Sequence, residues 1–315
     1  MSRLSGLVSR GRAVIVAAGV TAALVAAGTT PAQAELREGG LPEAIAGYLA
    51  TPDKVAGAND WSCKPSAKRP NPVVLLPGTF ANIGANFVKA SPRLKNNGYC
   101  VFATNYGMTA PSLGRAGGLD HATESAKQLD AFVKKVLDKT GAKKVDIIGH
   151  SQGGNVPIYW IKKMGNADKV AHYVGWAPSY NGTTVNGIVN LGETLGLLGF
   201  AVGLADFAQF PGVLDQTYAS DYTKALWAGD GNVPSGPKYT VIMTRNDFVV
   251  TPYHTQKLTG QNVNNIVLQE KCPLDQAGHV GLFNDDPTLQ MTMNALADGP
   301  ANFQPRCTGF GIPLA

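Results

Sequence analysis

The sequence predicts a doubly wound α/β fold with a mostly parallel sheet. Two observations carry this prediction: short apolar runs recur along the chain, and segments with helical periodicity lie between them. Runs that are apolar at nearly every position are typical of parallel strands covered on both faces. The predicted strands are 73–76, 99–103, 145–148, 173–177, 239–243 and 265–268.

Two helices are predicted between these strands. Residues 123–139 carry apolar side chains at helical spacing, and Gly141 can end that helix. The second helix, 154–163, follows the third strand and contains Pro157. We expect this proline in the first turn of the helix, where its missing N–H costs little.

The N-terminal segment has the pattern of a secretory signal peptide. Three arginines precede or flank a short apolar run (13–27), and Ala32-Gln33-Ala34 has the form of a cleavage site. The run is shorter than the ~20 residues needed to span a bilayer. We therefore expect a secreted, extracellular protein that is cleaved after Ala34 (signal peptide 1–34), with residues 35–315 forming the folded domain.

The charge balance argues against a nucleic-acid partner. The chain has 27 basic and 22 acidic side chains, and three of the basic ones lie in the predicted signal peptide. The remainder is nearly balanced, so no strongly basic surface of the kind that nucleic acids require is expected.

The four cysteines are predicted to form disulfides, because an even count in an exported chain favours them over metal ligation. Three connectivities are possible, and the sequential one closes two loops of similar length. Each such disulfide would add about 3–4 kcal/mol in the chain-entropy model. The spacing does not match a zinc site, so no metal is expected. The cysteines are Cys63, Cys100, Cys272 and Cys307.

The connection between the fourth and fifth predicted strands, about 178–238, is too long for a simple crossover. It is rich in leucine, isoleucine, valine and phenylalanine. It can be an ordinary pair of core helices, or a cap that covers the site and offers an apolar wall to acyl chains.

The third predicted strand runs directly into Gly149-His150-Ser151-Gln152-Gly153, which has the G-x-S-x-G form of a nucleophile elbow. In such an elbow the serine sits on a strained turn between a strand and a helix, which lifts its hydroxyl clear of the sheet. A side chain at either glycine would collide with the neighbouring strand or helix. The alternative is a glycine-rich loop with an inert serine, but the flanking strand and helix favour Ser151 as a nucleophile.

A serine nucleophile needs a base, and the candidates are the five histidines. Three of them are unsuitable as the base. His121 precedes the nucleophile at a helix start, and His172 begins a strand at the wrong end of the sheet. His150 lies inside the elbow and is expected to point away from the front of the serine. His254 and His279 remain. On such an elbow the chain order is serine, acid, histidine. His279 follows the last strand, and its flanking glycines let the loop bring the imidazole over the serine, so His279 is favoured over its rival His254.

The acid should orient the imidazole and stabilise its charged form. Asp247 lies just past the fifth predicted strand, at the edge of the sheet where Ser151 is expected. Asp275 is the competitor, because it is close to His279 in sequence. The placement past a strand end favours Asp247.

The oxyanion of an acyl-transfer reaction needs two preorganised donors. The first candidate is the N–H of Gln152, which follows the nucleophile. The second is Thr79, in the loop after the first strand, where its hydroxyl could add a third donor; Phe80 is the alternative. Gly78 would let the backbone approach a substrate closely.

Together these residues resemble the secreted α/β-hydrolase lipases, and more narrowly the actinobacterial lipases related to Candida antarctica lipase B. The resemblance runs from about Trp61 to Cys307 and rests mainly on three motifs. They are Leu-Leu-Pro-Gly-Thr at 75–79, His-Ser-Gln-Gly-Gly at 150–154 and Ala-Pro-Ser-Tyr-Asn-Gly-Thr at 177–183.

This resemblance implies an α/β-hydrolase fold with a helical cap insert at about 178–238. It implies Ser151 as nucleophile, His279 as base and Asp247 as acid, with oxyanion donors at Thr79 and Gln152. It also implies the sequential disulfides Cys63–Cys100 and Cys272–Cys307, no metal and no cofactor.

The implied activity is hydrolysis of triacylglycerol or other hydrophobic esters by a monomer, with a lipid–water interface as a possible partner and no nucleic acid. A cutinase-like polyesterase or carboxylesterase is the alternative enzyme. Peptidase or thioesterase activity is also conceivable on this scaffold. A catalytically silent binding protein is the alternative outside enzymes, because fold does not fix function.

Overall fold

The six predicted apolar segments form one sheet in which every strand is parallel to its neighbours. The computed structural model describes residues 34–197 and 210–314. The strand order is β2-β1-β3-β4-β5-β6. The strands are β1 (Val73–Leu76), β2 (Val101–Ala103), β3 (Val145–His150), β4 (Val170–Trp176), β5 (Lys238–Met243) and β6 (Val263–Val267).

The predicted doubly wound α/β fold is confirmed, with small differences at strand ends. β2 begins at Val101 rather than 99, and β4 begins at Val170, three residues before the predicted start. The register pairs Leu76 of β1 with Gly149 of β3. The loop after β1 and the turn after β3 therefore leave the sheet side by side.

Helices cover both faces of the sheet. They are α1 (Leu41–Ala50), α2 (Ile83–Asn86), α3 (Ala90–Asn96), α4 (Ala122–Thr140), α5 (Gln152–Lys162), α6 (Val185–Leu197), α7 (Pro211–Leu214), α8 (Asp221–Trp227), α9 (Leu268–Lys271) and α10 (Asp286–Leu296). None of these is long and apolar enough to cross a membrane.

Alternating side chains of β1 divide the core into two layers. Val74 and Leu76 pack with side chains of α4 and α5, whereas Val73 and Leu75 pack with α3 and α10. All four are fully buried, which is why the strand reads as a continuous apolar run.

The prediction for Pro157 is wrong in its position. α5 begins at Gln152, two residues before the predicted start, so Pro157 lies in the second turn and inside the helix. The sequence pattern missed Gln152 and Gly153 because neither adds an apolar position to the helical periodicity, and glycine is a weak helix former.

The structure pairs Cys63 with Cys100 and Cys272 with Cys307, which is the sequential connectivity. The long connection between β4 and β5 carries α6, α7 and α8. Residues 198–209 of that connection lie outside the described residues, and so does the predicted signal peptide apart from Ala34.

Candidate active site

Ser151 sits on a strained turn between β3 and α5. Its backbone has φ 55° and ψ −122°, a conformation that residues with a side chain rarely adopt. Strain of this kind persists only where the surrounding structure imposes it, and it is concentrated at functional sites.

The two glycines of the motif have no room for a side chain. A Cβ built on Gly149 would lie 2.0 Å from the carbonyl oxygen of Gly153, and one on Gly153 would lie 2.2 Å from the carbonyl oxygen of Leu76. The tight crossing of β1, β3 and α5 therefore requires glycine at both positions.

Asp247 holds the ring of His279 from behind. Its Oδ2 accepts a hydrogen bond from His279 Nδ1 at 2.8 Å and a second from Gln256 Nε2 at 2.7 Å. Its Oδ1 accepts the backbone N–H groups of Val249 and Val250 at 2.8 and 2.7 Å. Four donors thus fix the carboxylate, and the carboxylate fixes the imidazole.

The other nitrogen of this imidazole, His279 Nε2, is buried and has no hydrogen-bond partner among the described residues. Because Nδ1 donates to Asp247, the neutral ring carries its lone pair on Nε2. His279 and Ser151 line the same cavity, with 1% and 2% of their surfaces exposed. No hydrogen bond joins these two side chains in the structure.

The prediction for His150 needs a correction. Its side chain lines the same cavity as Ser151 rather than pointing away from it. Nε2 lies 2.9 Å from the carbonyl oxygen of His279 and therefore donates to it, and Nδ1 lies 3.1 Å from Asn86 Oδ1. Burial, and then the charge of His279, lower the pKa of His150 to about 3, so this ring is neutral.

The remaining histidines lie away from the cavity. His121 precedes α4 and contacts Asp215, His172 lies within β4, and His254 is exposed on a short 3₁₀ turn. The rival acid, Asp275, is fully buried, but its Oδ1 accepts the backbone N–H of Ala277 at 2.9 Å instead of the ring. Through this hydrogen bond, Asp275 supports the loop that carries His279 a few residues further along the chain.

The loop after β1 distinguishes the two candidates for the second oxyanion donor. The N–H of Phe80 donates to the carbonyl oxygen of Gly117 at 2.9 Å, so it is already used. The N–H groups of Thr79 and Gln152 donate to no other described residue. Thr79 lines the cavity, and a Cβ built on the adjacent Gly78 would lie 3.2 Å from Ser151 Cβ.

The hydroxyl of Thr79 is engaged with the connection between β4 and β5. Its Oγ1 accepts a hydrogen bond from Gln216 Nε2 at 2.9 Å and lies 3.3 Å from Gln152 Oε1. Gln152 Nε2 in turn donates to the carbonyl oxygen of Gly212 at 2.7 Å. These contacts hold the loop after β1 and the start of α5 in one fixed relation.

The walls of the cavity are mostly apolar. Two helices provide facing side chains: Leu41 and Ala44 of α1, and Leu191 and Leu195 of α6. α1 was not predicted from the sequence, because its short stretch of alanine, glycine and proline has no strong amphipathic pattern. Asn86 was also missed, and no sequence signal indicated it.

Nothing in the described parts of the chain gathers three or more metal-ligating side chains into a candidate metal site.

Comparison with known proteins agrees with this geometry. The profile of the family described as "Lipase (class 2)" matches residues 70–292. A curated triacylglycerol lipase from Pseudarthrobacter phenanthrenivorans is 36% identical over 93 residues, which are 28% of this chain and 27% of that protein. The chain therefore matches only about a quarter of the length of that relative.

Solved structures support the fold at low sequence identity. Aspergillus fumigatus lipase B is 18% identical, with a TM-score of 0.59 over 80% of this chain and 62% of that one. A monoglyceride lipase variant from Saccharomyces cerevisiae is 15% identical, with a TM-score of 0.53 over 74% and 86%. A BphD hydrolase from a Rhodococcus species is 14% identical, with a TM-score of 0.53 over 73% and 91%. Together they establish an α/β-hydrolase fold.

Proposed function

The chain belongs to the class 2 lipase family, and from that premise we propose that it is a serine ester hydrolase that cleaves triacylglycerol or other lipid esters through an acyl-enzyme. One observation carries the proposal: a buried imidazole, held by Asp247 on one side, has an Nε2 without a partner among the described residues and lines the same cavity as Ser151. A strained serine beside a base is the arrangement that activates a hydroxyl for attack.

In the first half of the reaction, Ser151 Oγ attacks the ester carbonyl carbon while His279 Nε2 takes the hydroxyl proton. Asp247 stabilises the positive charge that develops on the ring. The N–H groups of Gln152 and Thr79 donate to the oxyanion, and each such donor contributes about 3–4 kcal/mol to the transition state in comparable sites. When the tetrahedral intermediate collapses, His279 returns the proton to the leaving alcohol.

In the second half, His279 takes a proton from a water molecule, whose oxygen attacks the acyl carbon. Collapse of this second intermediate breaks the bond to Ser151 Oγ, and His279 protonates the serine again. The products are one carboxylic acid and one alcohol, and the enzyme is unchanged.

The apolar cavity supports a hydrophobic ester as the substrate. The curated relative is named a triacylglycerol lipase, and this name supports the same class for the present chain. The nearly complete burial of Ser151 and His279 favours a covered site over the open site of a cutinase-like polyesterase. We therefore also propose that the insert at about 178–238 acts as a cap and that the enzyme, as a monomer, works at lipid–water interfaces.

We further propose that the protein is exported, with residues 1–34 removed and 35–315 forming the mature enzyme. The two disulfides are compatible with this, since disulfides persist in oxidising compartments.

The test is the hydrolysis of p-nitrophenyl esters and emulsified triacylglycerol by wild type, Ser151→Ala and Ser125→Ala. Ser125 is a matched control, because it is a fully buried serine of α4 whose Oγ has no hydrogen-bond partner within residues 34–197 and 210–314. We expect Ser151→Ala to lose activity on the order of 10⁶-fold and Ser125→Ala to keep it. Near-native activity of Ser151→Ala, or no hydrolysis by wild type, would refute the proposal.

The same assay separates a lipase from a soluble-substrate esterase. A cap-gated lipase gains rate when its ester is presented as an emulsion, whereas an enzyme that prefers dissolved esters does not.

A further inference from the structure

The N-terminal helix α1 is a wall of the cavity that holds Ser151, although it precedes the first strand and carries no residue of the proposed catalytic set. Ala44 of α1 is 3% exposed and lines the cavity, and Leu41 lines it one helical turn earlier. We propose that α1 measures the apolar chain of the ester, and that the small side chain of Ala44 sets the longest chain that fits. This inference rests on the proposed ester hydrolysis.

The two helical walls differ in the size of their side chains. α6 presents leucines at 191 and 195, whereas α1 presents one half-buried leucine and the single methyl group of Ala44. The next buried residue along this face, Tyr48, does not line the cavity and packs in an apolar cluster with Phe80 and Ala85. The space at Ala44 is therefore open on the cavity side and closed beyond it.

α1 contacts α2 directly through backbone. A Cβ built on Gly47 would lie 1.9 Å from the carbonyl oxygen of Gly84, and one on Gly84 would lie 2.8 Å from the carbonyl oxygen of Gly47. The two glycines allow an approach that leaves no gap between the helices. Ala44 is buried and lines the cavity, so atoms added at position 44 project into it.

Both ends of α1 are fixed to other parts of the molecule. Before its start, Glu38 Oε1 accepts a hydrogen bond from Arg93 Nε at 2.7 Å, and the same guanidinium contacts Asp286 of α10 at 2.6 Å. Near its end, the carbonyl oxygen of Tyr48 accepts a hydrogen bond from Asn82 Nδ2 at 3.3 Å. Asn82 lies three residues after Thr79, so the wall has a fixed position relative to the loop that holds the ester carbonyl.

The ligand chemistry follows from this lining. An unbranched hydrocarbon chain matches the apolar lining of this cavity. Each methylene that binds in such a cavity changes kcat/KM by roughly tenfold or more. The chain can belong to the acyl or to the alcohol part of the ester. The experiment therefore uses one substrate series for each part.

The experiment compares wild type, Ala44→Leu and Ala46→Leu. Ala46 is a matched control, because it lies on the exposed side of the same helix. kcat/KM is measured for p-nitrophenyl acetate, butyrate, octanoate and laurate, and for methyl, butyl and octyl butyrate. Circular dichroism and thermal melting establish that each variant is folded.

We expect Ala44→Leu to keep its activity on p-nitrophenyl acetate and to lose at least about tenfold on octanoate and laurate. A loss confined to the long alkyl butyrates would instead assign the wall to the alcohol part of the substrate. Ala46→Leu should keep the wild-type profile in both series. An unchanged length profile of a folded Ala44→Leu would overturn the inference.

Leu41→Ala keeps the test decisive if Ala44→Leu does not fold. Removing this side chain enlarges the space beside the same wall, so the preferred chain length should increase, and an unchanged preference would overturn the inference.

Different results would overturn the inference and the proposed function. Wild type that hydrolyses no ester overturns both, whereas active wild type with unchanged profiles in the variants overturns only the role of α1.

Discussion

Two buried histidine–aspartate pairs with the same contact distance lie at opposite edges of the sheet. His279 Nδ1 and Asp247 Oδ2 are 2.8 Å apart beyond the carboxyl end of β5, and His172 Nδ1 and Asp146 Oδ1 are 2.8 Å apart near the amino ends of β3 and β4. The difference lies in the second ring nitrogen. His172 Nε2 contacts Asp298 at 2.8 Å, whereas His279 Nε2 has no hydrogen-bond partner among the described residues, and His279 lines the same cavity as Ser151.

The comparison teaches that the partner of the second nitrogen decides what such a pair can do. Burial alone would lower the pKa of His172, but hydrogen bonds and charges from Asp146 and Asp298 outweigh burial and raise it. A ring between two carboxylates holds its proton and stabilises the fold. A ring with one carboxylate and one free lone pair can accept a proton and give it back.

The largest expected difference is in turnover. His279→Ala should reduce kcat on the order of 10⁶-fold, because the hydroxyl loses its base. His172→Ala should leave kcat per folded molecule unchanged, since this ring lies at the other edge of the sheet. Ester hydrolysis normalised to folded protein measures both, and equal losses in the two variants would remove the distinction.

The second difference concerns the two carboxylates near His279. Asp247→Asn should lower kcat on the order of 10⁴-fold, because an amide N–H facing Nδ1 favours the wrong tautomer of the ring. Asp275→Asn should have a much smaller effect, since the amide oxygen can still accept the N–H of Ala277. If kcat is more sensitive to position 275 than to 247, the acid has been assigned wrongly.

The third difference is in stability. His172→Ala should lower the free energy of unfolding by about 3–5 kcal/mol, because Asp146, 2% exposed, loses its charged partner inside the protein. His254→Ala is the control, and as an exposed substitution it should change stability by less than about 0.5 kcal/mol. Urea unfolding at neutral pH measures both, and equal midpoints would contradict this role of His172.

The smallest difference is in pH dependence, where His172 and His150 should act in opposite directions. Above the unfolded pKa of about 6.5, folded His172 keeps a proton that the unfolded chain has lost. Its contribution to stability is therefore complete below that pH and is lost as pH rises through the raised folded pKa. For each histidine, the change in the free energy of unfolding with pH can reach about 1.4 kcal/mol per pH unit.

His150 reverses this sign. Its folded pKa is lowered to about 3, so below about pH 6.5 the unfolded chain binds a proton that the folded chain does not, and stability falls as pH falls. Urea unfolding across this pH range for wild type, His172→Gln and His150→Gln should show each slope disappear in its own variant. Slopes that persist in both variants would assign the pH dependence to other groups.

Much of the fold could be predicted because the physical signal is local. β1 and β5 are buried on nearly every residue, so their sequences are continuous apolar runs with sharp ends. The residues of β4 before His172 were missed because this polar side chain, which is paired with two aspartates, interrupts the apolar run. A partner more than twenty residues away leaves no trace in a local pattern.

The candidate site shows the same contrast between residues with a local sequence signal and contacts between distant residues. Ser151, Asp247 and His279 could be predicted because each lies at a recognisable place relative to a strand, and chain order ranks the alternatives. The contact of His150 with the loop of His279 joins residues 129 positions apart, and the expectation that it points away was wrong. Ala44 lines the cavity from a helix that packs on α2 through the close contact of Gly47 with Gly84, and no spacing rule in the sequence indicates that contact.

The central claim is that His279, and not the similar pair at His172, activates Ser151. A fluorophosphonate reacts covalently with an activated serine, and peptide mass mapping identifies the modified residue and its rate of modification. We predict labelling of Ser151 at the same rate in wild type and His172→Ala, and labelling at least about 10³-fold slower in His279→Ala. Labelling of another serine, or undiminished labelling of Ser151 in His279→Ala, would contradict the account.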